Sequence, residues 1–378
     1  MRIGFDLRPF LKQETGVGVY FKNLLFALAR LDAVNEYFLF SASWKDRFPE
    51  AKVPPFKNRT FRDFRRPVRA VNFFWYRLGR PTLDAMFGTR LDLTHSPTPL
   101  ILPTRGRKVV TVCDLFYMDF PDKADVEARR YFHKKTEAAL RKADGIVTIS
   151  EFTKKKLLER FGLAEGRIRV TYLGLNAGYE ETGDEAPAEA IRRKFGLPEK
   201  FLLFVGASEP RKNLPRLIDA LSVLHGRGLR IPLALAGREG SDHSALLDRI
   251  AARGLGPWIR ILGYLPEADV RDLHRAAAAL VFPSLCEGFG LPLLEAMAGG
   301  LPVAASNVSA LPEIGGDAAV YFDPEDPEDM ADKIRLVLED EGLRQSMKAR
   351  GRKRAKTFTW EKTAAETLAF YGEILGRP

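Results

Sequence analysis

A chain of 378 residues is too long for one ordinary hydrophobic core, and a length prior of roughly 150 residues per domain points to two domains. Hydrophobic and charged residues make up 46% and 29% of it, no apolar run approaches the roughly 20 residues of a membrane span, and two cysteines, Cys113 and Cys286, exclude a disulfide framework or structural zinc. The net charge of +10 is uneven: residues 1–175 hold 33 Lys and Arg against 19 Asp and Glu, the remainder 26 against 30, so an anionic partner is expected for the first half alone.

The opening MRIGFDLRPF alternates as a buried strand does, over Arg2 to Phe5, and lacks the apolar stretch and cleavage site of a signal peptide. A cytoplasmic protein is expected. Gly16-Val17-Gly18-Val19-Tyr20 leads into a helix predicted over Val19 to Leu31, and the N–H groups there suit a phosphate or sugar, although a plain turn has the same composition. Phe21 replaces the third glycine of GxGxxG, so this is not a dinucleotide fingerprint.

Basic residues are densest from Lys45 to Arg80, where Arg62, Arg65, Arg66, Arg69, Arg77 and Arg80 alternate with Phe61, Phe64, Phe73, Phe74, Trp75 and Tyr76. Three readings stay open: rings and cations at an anionic bilayer surface, rings stacked on single-stranded nucleic acid, or a basic helix whose aromatics are core.

Short aliphatic runs then recur as strands, Tyr37 to Phe40, Leu91 to Thr94, Lys108 to Val112, Gly145 to Ile149 and Arg167 to Tyr172, between helical patterns at Asp125 to Arg141 and Glu151 to Phe161. Alternation of this kind implies a parallel sheet covered on both faces. His95 falls just past one strand, and Cys113 and Asp114 end another, where Asp114 can face a cleft or cap the next helix. A polar stretch from Asn176 to Pro187 reads as the linker. A second series follows, with strands at Phe201 to Val205, Pro232 to Ala236, Arg260 to Leu262, Ala279 to Phe282, Pro302 to Ala304 and Ala319 to Phe322.

After Phe201 to Val205 and Gly206 comes Glu209-Pro210-Arg211-Lys212-Asn213, whose guanidinium fork and ammonium suit a diphosphate, or form a solvated basic loop. The run Glu287-Gly288-Phe289-Gly290-Leu291-Pro292-Leu293-Leu294-Glu295 is the most informative in the chain. Its glycines let backbone approach a ligand, and Pro292 suits the first turn of a helix whose free N–H groups meet a phosphate. Glu287 in the loop and Glu295 about one turn into the helix can accept hydrogen bonds from vicinal hydroxyls of a sugar and a ribose. A glycine turn with solvated acids has the same pattern.

Together, GVGVY, VVTVCDL, ADGIVTISEFTKKKL, VGASEPRKNLPRLIDAL, LGYLPEADV and FPSLCEGFGLPLLEAMAGGLPV are similar to family 4 retaining glycosyltransferases (group 1) of the GT-B fold. TFTWEKTAAETLAFY resembles the family's terminal helix. The resemblance implies an α/β fold of two Rossmann-like domains facing across a cleft, 1–175 plus 358–378 and 176–357, with the C-terminal helix crossing back to the first. It also implies sugar transfer with retention from a nucleotide diphosphate donor, with no metal or other cofactor.

By the same resemblance, Arg211 and Lys212 would hold the diphosphate, Glu295 the ribose and Glu287 the donor sugar. Gly16, Gly18, Gly206, Tyr264, Leu265, Phe289, Gly290 and Leu291 would complete the donor site, Cys113 and Asp114 would stand with Glu287, Arg211 and Lys212 at the reaction centre, and His95 and Tyr20 would face the acceptor. Many members place a histidine where this chain has Cys113, and a thiol does not replace all that an imidazole does. A GDP-sugar is favoured, with mannose slightly ahead, and a UDP-sugar next. The expected acceptor is a glycan or lipid-linked glycan at the inner membrane face, in polysaccharide or lipopolysaccharide synthesis. The alternative is a donor-binding but catalytically weak partner subunit. Nucleic acid is not expected as a partner, since the second half is acidic and no recognition module is visible.

Overall fold

The computed structural model describes residues 1–10, 16–121, 133–179 and 186–377. They form two compact units, Met1–Gly174 with Thr359–Pro378, and Leu175–Phe358. The first holds strands β1 (Arg2–Asp6), β2 (Glu36–Ala42), β3 (Arg59–Phe64), β4 (Leu93–Ser96), β5 (Arg107–Val112), β6 (Gly145–Thr148) and β7 (Ile168–Val170). The second holds β8 (Leu202–Val205), β9 (Leu233–Ala236), β10 (Ile259–Gly263), β11 (Ala279–Phe282), β12 (Val303–Ser306) and β13 (Val320–Phe322).

The sheet orders are β3-β2-β1-β4-β5-β6-β7 and β10-β9-β8-β11-β12-β13. Paired strands run parallel, so each sheet needs helical crossovers and is covered on both faces. That is why β2 and β8 read as unbroken apolar runs rather than alternating ones. The chain's direction of travel across the sheet reverses between β1 and β4 and again between β8 and β11. Loops leaving the carboxyl ends of such a pair splay apart and leave room for a ligand.

β3 was not expected as a strand. Its sequence Arg-Thr-Phe-Arg-Asp-Phe mixes charge with rings, which suits an edge strand paired on one side only, here to β2 with Leu39 opposite Phe61. The stretch from Lys45 to Arg80 is therefore not one basic helix. It contributes β3, a helix over Val68–Phe73 and a wide π-turn over Phe74–Leu78. Phe48 and Trp75 are core, whereas Phe73 and Phe74 are exposed.

The terminal helix Trp360–Ile374, capped by Thr359 accepting from the Lys362 N–H, packs within the first unit on the helix Gly16–Leu31. Phe370 and Tyr371 are fully buried there, and burial of the Phe370 side chain alone contributes roughly 2–3 kcal/mol. The exposed pairs Arg30–Glu361 and Arg169–Glu373 add little.

Other expectations shift. The first helix begins at Gly16, so Gly16 and Gly18 lie in its first turn rather than ahead of it. Of the helix expected at Asp125 to Arg141, residues up to 132 lie outside the described residues, and His133–Lys142 is helical. The expected linker starts inside the second unit, where the Leu175 N–H donates to the Phe358 carbonyl and Tyr179 is buried. Residues 180–185 lie outside the described residues, and Pro187 belongs to the helix Ala186–Phe195. Among the described residues no helix is long and apolar enough to cross a membrane.

Candidate functional site

In the second unit the loops after β8 and β11 bring three charged side chains together. Pro210–Lys212 forms a single 3-10 turn, and Asn213, at φ 56°, turns the chain into the helix Leu214–Gly226. The Asn213 amide donates to the carbonyls of Pro283 and Pro324, tying the turn to the loops after β11 and β13. This geometry aims Lys212 inward, buried, with its ammonium 4.8 Å from the Phe282 ring centroid.

Lys212 Nζ donates to Glu287 Oε1 at 2.6 Å, and Arg211 Nη1 donates to Glu287 Oε2 at 2.9 Å. Burial would raise the Glu287 carboxyl, but Lys212 and Arg211 outweigh it and hold the group at about 2. It is ionised at any physiological pH. Arg211 Nε also donates to Glu209 Oε2 at 3.0 Å, and Arg238, just past β9, lies 3.6 Å from the other Glu209 oxygen. Three cations and two carboxylates thus converge at the switch between β8 and β11.

The loop that carries Arg211 rests on the loop after β9. The Gly240 N–H donates to Ser208 Oγ and the Asp242 N–H to the Ser208 carbonyl, both at 2.9 Å. A Cβ on Gly237 would stand 2.0 Å from the Gly206 carbonyl oxygen, so only glycine permits this backbone approach.

Glu295 lies one turn into the helix Leu291–Gly299, buried. Asn176 donates to its Oε1 at 3.1 Å. Burial first, and then the Glu267 charge, push its carboxyl up to about 8, against the opposing hydrogen bonds of Asn176 and Tyr179. The two glutamates of one nonapeptide are therefore in opposite states, Glu287 ionised against cations and Glu295 held largely protonated at neutral pH. Phe289 is buried edge-to-face with Phe358, Gly290 bends the chain at φ 107°, and Tyr264, just past β10, is largely exposed.

In the first unit, Asp114 Oδ1 accepts from the Phe116 N–H at 3.0 Å, a turn-capping contact at the start of the short helix Phe116–Asp119. Cys113 is half-buried, and desolvation and then the Asp114 charge push its thiol up, which keeps it protonated. His95 and Tyr20, expected on the acceptor side, are both buried in the core of the first unit. β4 extends through Ser96, so the pleat turns His95 into the core instead of leaving it past the strand end. Its Nε2 pairs with Thr111 Oγ1 at 2.7 Å and its Nδ1 with the Tyr371 hydroxyl, while the Tyr20 hydroxyl reaches the same Thr111 at 3.2 Å. Burial lowers the His95 imidazole to about 3, so it stays neutral. These residues fasten the terminal helix to the sheet.

The family described as glycosyl transferases group 1 matches residues 187–354, and that described as glycosyltransferase family 4 matches residues 15–178. The chain belongs to glycosyltransferase family 4. The O-antigen chain mannosyltransferase B of Escherichia coli is 33% identical to this glycosyltransferase over 98% of this chain and 99% of that protein. Sucrose-phosphate synthase from Thermosynechococcus elongatus superposes with a TM-score of 0.77 at 20% identity, covering 99% of each chain. Anabaena HepE, solved in complex with UDP-glucose, gives 0.73 at 18% identity, covering 98% of this chain and 99% of that one. These likenesses establish the two-domain GT-B fold.

Within the second unit of the glycosyltransferase, the structure brings together Arg211, Lys212 and Glu287, which the sequence places in separate motifs. Glu209, Arg238, Asn176 and Tyr179 were given no site role from sequence. Arg238 carried a usable signal, because it lies two residues past the end of a predicted strand. Asn176 carried none, since its polar surroundings read as linker. Among the described residues no group of three His, Cys, Asp or Glu side chains is placed to hold a metal ion.

Proposed function

We propose that this glycosyltransferase moves a sugar, with mannose favoured, from a nucleotide diphosphate donor to a glycan or lipid-linked acceptor in cell-surface polysaccharide synthesis, with retention of configuration and without a metal. The observation that carries the reading is the pair Arg211 and Lys212, fixed at the switch between β8 and β11 and sharing the single carboxylate of Glu287. With Arg238 beside them, three cations stand against the two carboxylates of Glu287 and Glu209, which leaves a positive excess where a departing diphosphate needs neutralising. The mannosyltransferase relative supports mannose, and the forms of GVGVY and EPRKN are the ground for placing a GDP-sugar ahead of a UDP-sugar.

In this reading Arg211 and Lys212 take the diphosphate and Glu287, released from them in part, accepts hydroxyls of the donor sugar. Glu295 accepts from the ribose, and backbone at Gly206, Gly290 and Leu291, with Tyr264 and Leu265 beside the base, completes the donor contacts. Gly16 and Gly18 approach the donor from the first unit. The departing phosphate oxygen takes the acceptor proton as the new glycosidic bond forms on the same face. Asp114 and Cys113 contribute from the loop after β5. A lipid-linked acceptor implies peripheral work at the inner face of the membrane.

One observation favours a second reading, a donor-binding subunit of low activity. Cys113 stands where many family members carry histidine, and a protonated thiol is a weak hydrogen-bond donor. Incubation with GDP-mannose or UDP-glucose and an acceptor oligosaccharide, with and without EDTA, separates the two. Release of GDP with an α-linked product, indifferent to EDTA and lost in Glu287→Ala, supports the transferase. Donor binding without turnover in any pairing supports the second reading, and turnover that EDTA abolishes and Mg²⁺ restores overturns the metal-free part.

A further inference from the structure

The segment Val68–Leu78 has two faces. Val71 and Trp75, one turn apart, are buried, and the Trp75 ring lies 4.8 Å from Phe40 of β2 and 4.7 Å from the Arg8 guanidinium. Arg8 in turn donates to Asn72 Oδ1 at 2.8 Å and pairs with Asp6. The segment is thereby bolted to the carboxyl ends of β1 and β2.

Its other face is apolar and exposed. Phe73, Phe74 and Leu78 are 56%, 47% and 58% accessible, and Val68, at the start of the same segment, is exposed as well. Large apolar side chains clustered in this way on a monomer mark a surface with a partner. Within and beside the same stretch of sequence are Arg65, Arg66, Arg69, Arg77 and Arg80, all exposed. Among the described residues no ion pair involves any of these five, although Arg47 and Arg59 nearby are each paired with a carboxylate.

We propose that Val68–Leu78 is a bilayer-docking element, which seats Phe73, Phe74 and Leu78 below the headgroups of an anionic membrane while Arg69, Arg77 and Arg80 meet lipid phosphates. Rings inserted at the interface and cations among anionic headgroups are the chemistry this face offers. Single-stranded nucleic acid fits less well. Phe73 and Phe74 stand edge-to-face at 84°, so they give no parallel platform for successive bases, and Val68 and Leu78 have no stacking face. A second copy of the chain would set arginines against arginines.

The element lies at the carboxyl end of the first sheet, so docking there would bring that sheet's loops to a membrane-borne acceptor. In this the inference deepens the lipid-linked reading above and rests on it, but vesicle binding is measured without turnover, so either can fail alone.

The test is co-sedimentation of the full chain with vesicles of phosphatidylcholine alone or mixed with phosphatidylglycerol. Wild type should bind the anionic vesicles at least about tenfold better than the neutral ones, and added salt should weaken that preference. The double variant Phe73→Ser with Phe74→Ser should lose about tenfold in binding, because apolar insertion is gone while the charge remains. Arg69→Gln with Arg77→Gln should fall toward the neutral-vesicle level. Leu78→Ser, a single change at an exposed position, gives a second reading of the apolar term. Transfer to a short water-soluble acceptor should be unchanged in all of them. Wild type that stays in solution with both vesicles overturns the proposal, as do ring variants that bind like wild type. Binding to single-stranded DNA in place of vesicles, or a wild-type dimer by light scattering that the ring variant dissolves, overturns it in favour of those occupants.

Discussion

Lys212 Nζ lies 2.6 Å from Glu287 Oε1, and both groups are buried between the loops after β8 and β11. The same carboxylate holds Arg211 on its second oxygen. One anion therefore stabilises two adjacent cations, and any dianion entering the site competes with it for both.

Glu287→Gln leaves two cations facing a neutral amide. Loss of a buried ionic partner costs about 3 kcal/mol, read as a lowered urea midpoint. Pyrophosphate or GDP should then raise the melting temperature of the variant more than that of wild type, because the added anion replaces the missing charge. Equal shifts in the two proteins would mean that the diphosphate does not use this pair. The Glu287 carboxyl titrates in the folded chain at about 2, below its ordinary 4.5. Its contribution is thus present above the ordinary value and fades as pH falls toward 2, an acid limb the variant should lack.

Glu295 behaves in the opposite sense. Its folded value of about 8 exceeds the ordinary 4.5, so the folded chain keeps a proton that the unfolded chain releases. Stability is full below the ordinary value and falls as pH rises from there to about 8, by an amount on the order of 5 kcal/mol across the window. Glu295→Gln should flatten that limb and melt higher than wild type at pH about 8.5. If the ribose donates to this carboxylate, nucleotide binding at neutral pH releases a proton, and calorimetry in buffers of different ionisation heat should detect it. Heats independent of buffer would remove Glu295 from the ribose contact.

Gly290 and Gly237 of the second unit both resist a side chain, the first through its positive φ and the second through close backbone. Gly290 sits at φ 107°, and a Cβ there would stand 2.8 Å from Leu311 Cδ2. Gly290→Ala should cost about 1–3 kcal/mol and move the start of the helix that carries Glu295. Gly237→Ala drives a methyl group into the Gly206 carbonyl and should displace the Arg211 loop. Both variants are expected to lose donor affinity in a thermal-shift titration, and unchanged affinity in Gly237→Ala would uncouple the two loops.

Tyr371→Phe removes the hydroxyl that meets His95 Nδ1 and leaves a buried imidazole nitrogen without its partner. The expected cost is about 1–3 kcal/mol, seen in urea unfolding. Since His95 is fully buried and neutral, turnover of the surviving folded protein should stay near wild type. A fall in turnover with unchanged stability would return His95 to the acceptor side.

Much of the fold was legible because parallel strands buried on both faces must be continuous apolar runs, as Phe201 to Val205 and Ala279 to Phe282 are. β3 was not legible, since an edge strand needs only one satisfied side and tolerates Arg62 and Asp63. The candidate donor residues were legible as types in motifs, because glycine turns and paired glutamates are local requirements. What the sequence by itself determined is the family, the two α/β sheets and the residue kinds at their carboxyl ends. Only the tertiary structure decided that Lys212 and Glu287, 75 positions apart, neutralise one another. It also decided that Glu295 is desolvated into its protonated form, and that His95 falls inside the pleat rather than beyond it. Charge states and burial depend on what surrounds a side chain in space, and parallel strand pairing joins residues whose separation along the chain no local pattern records.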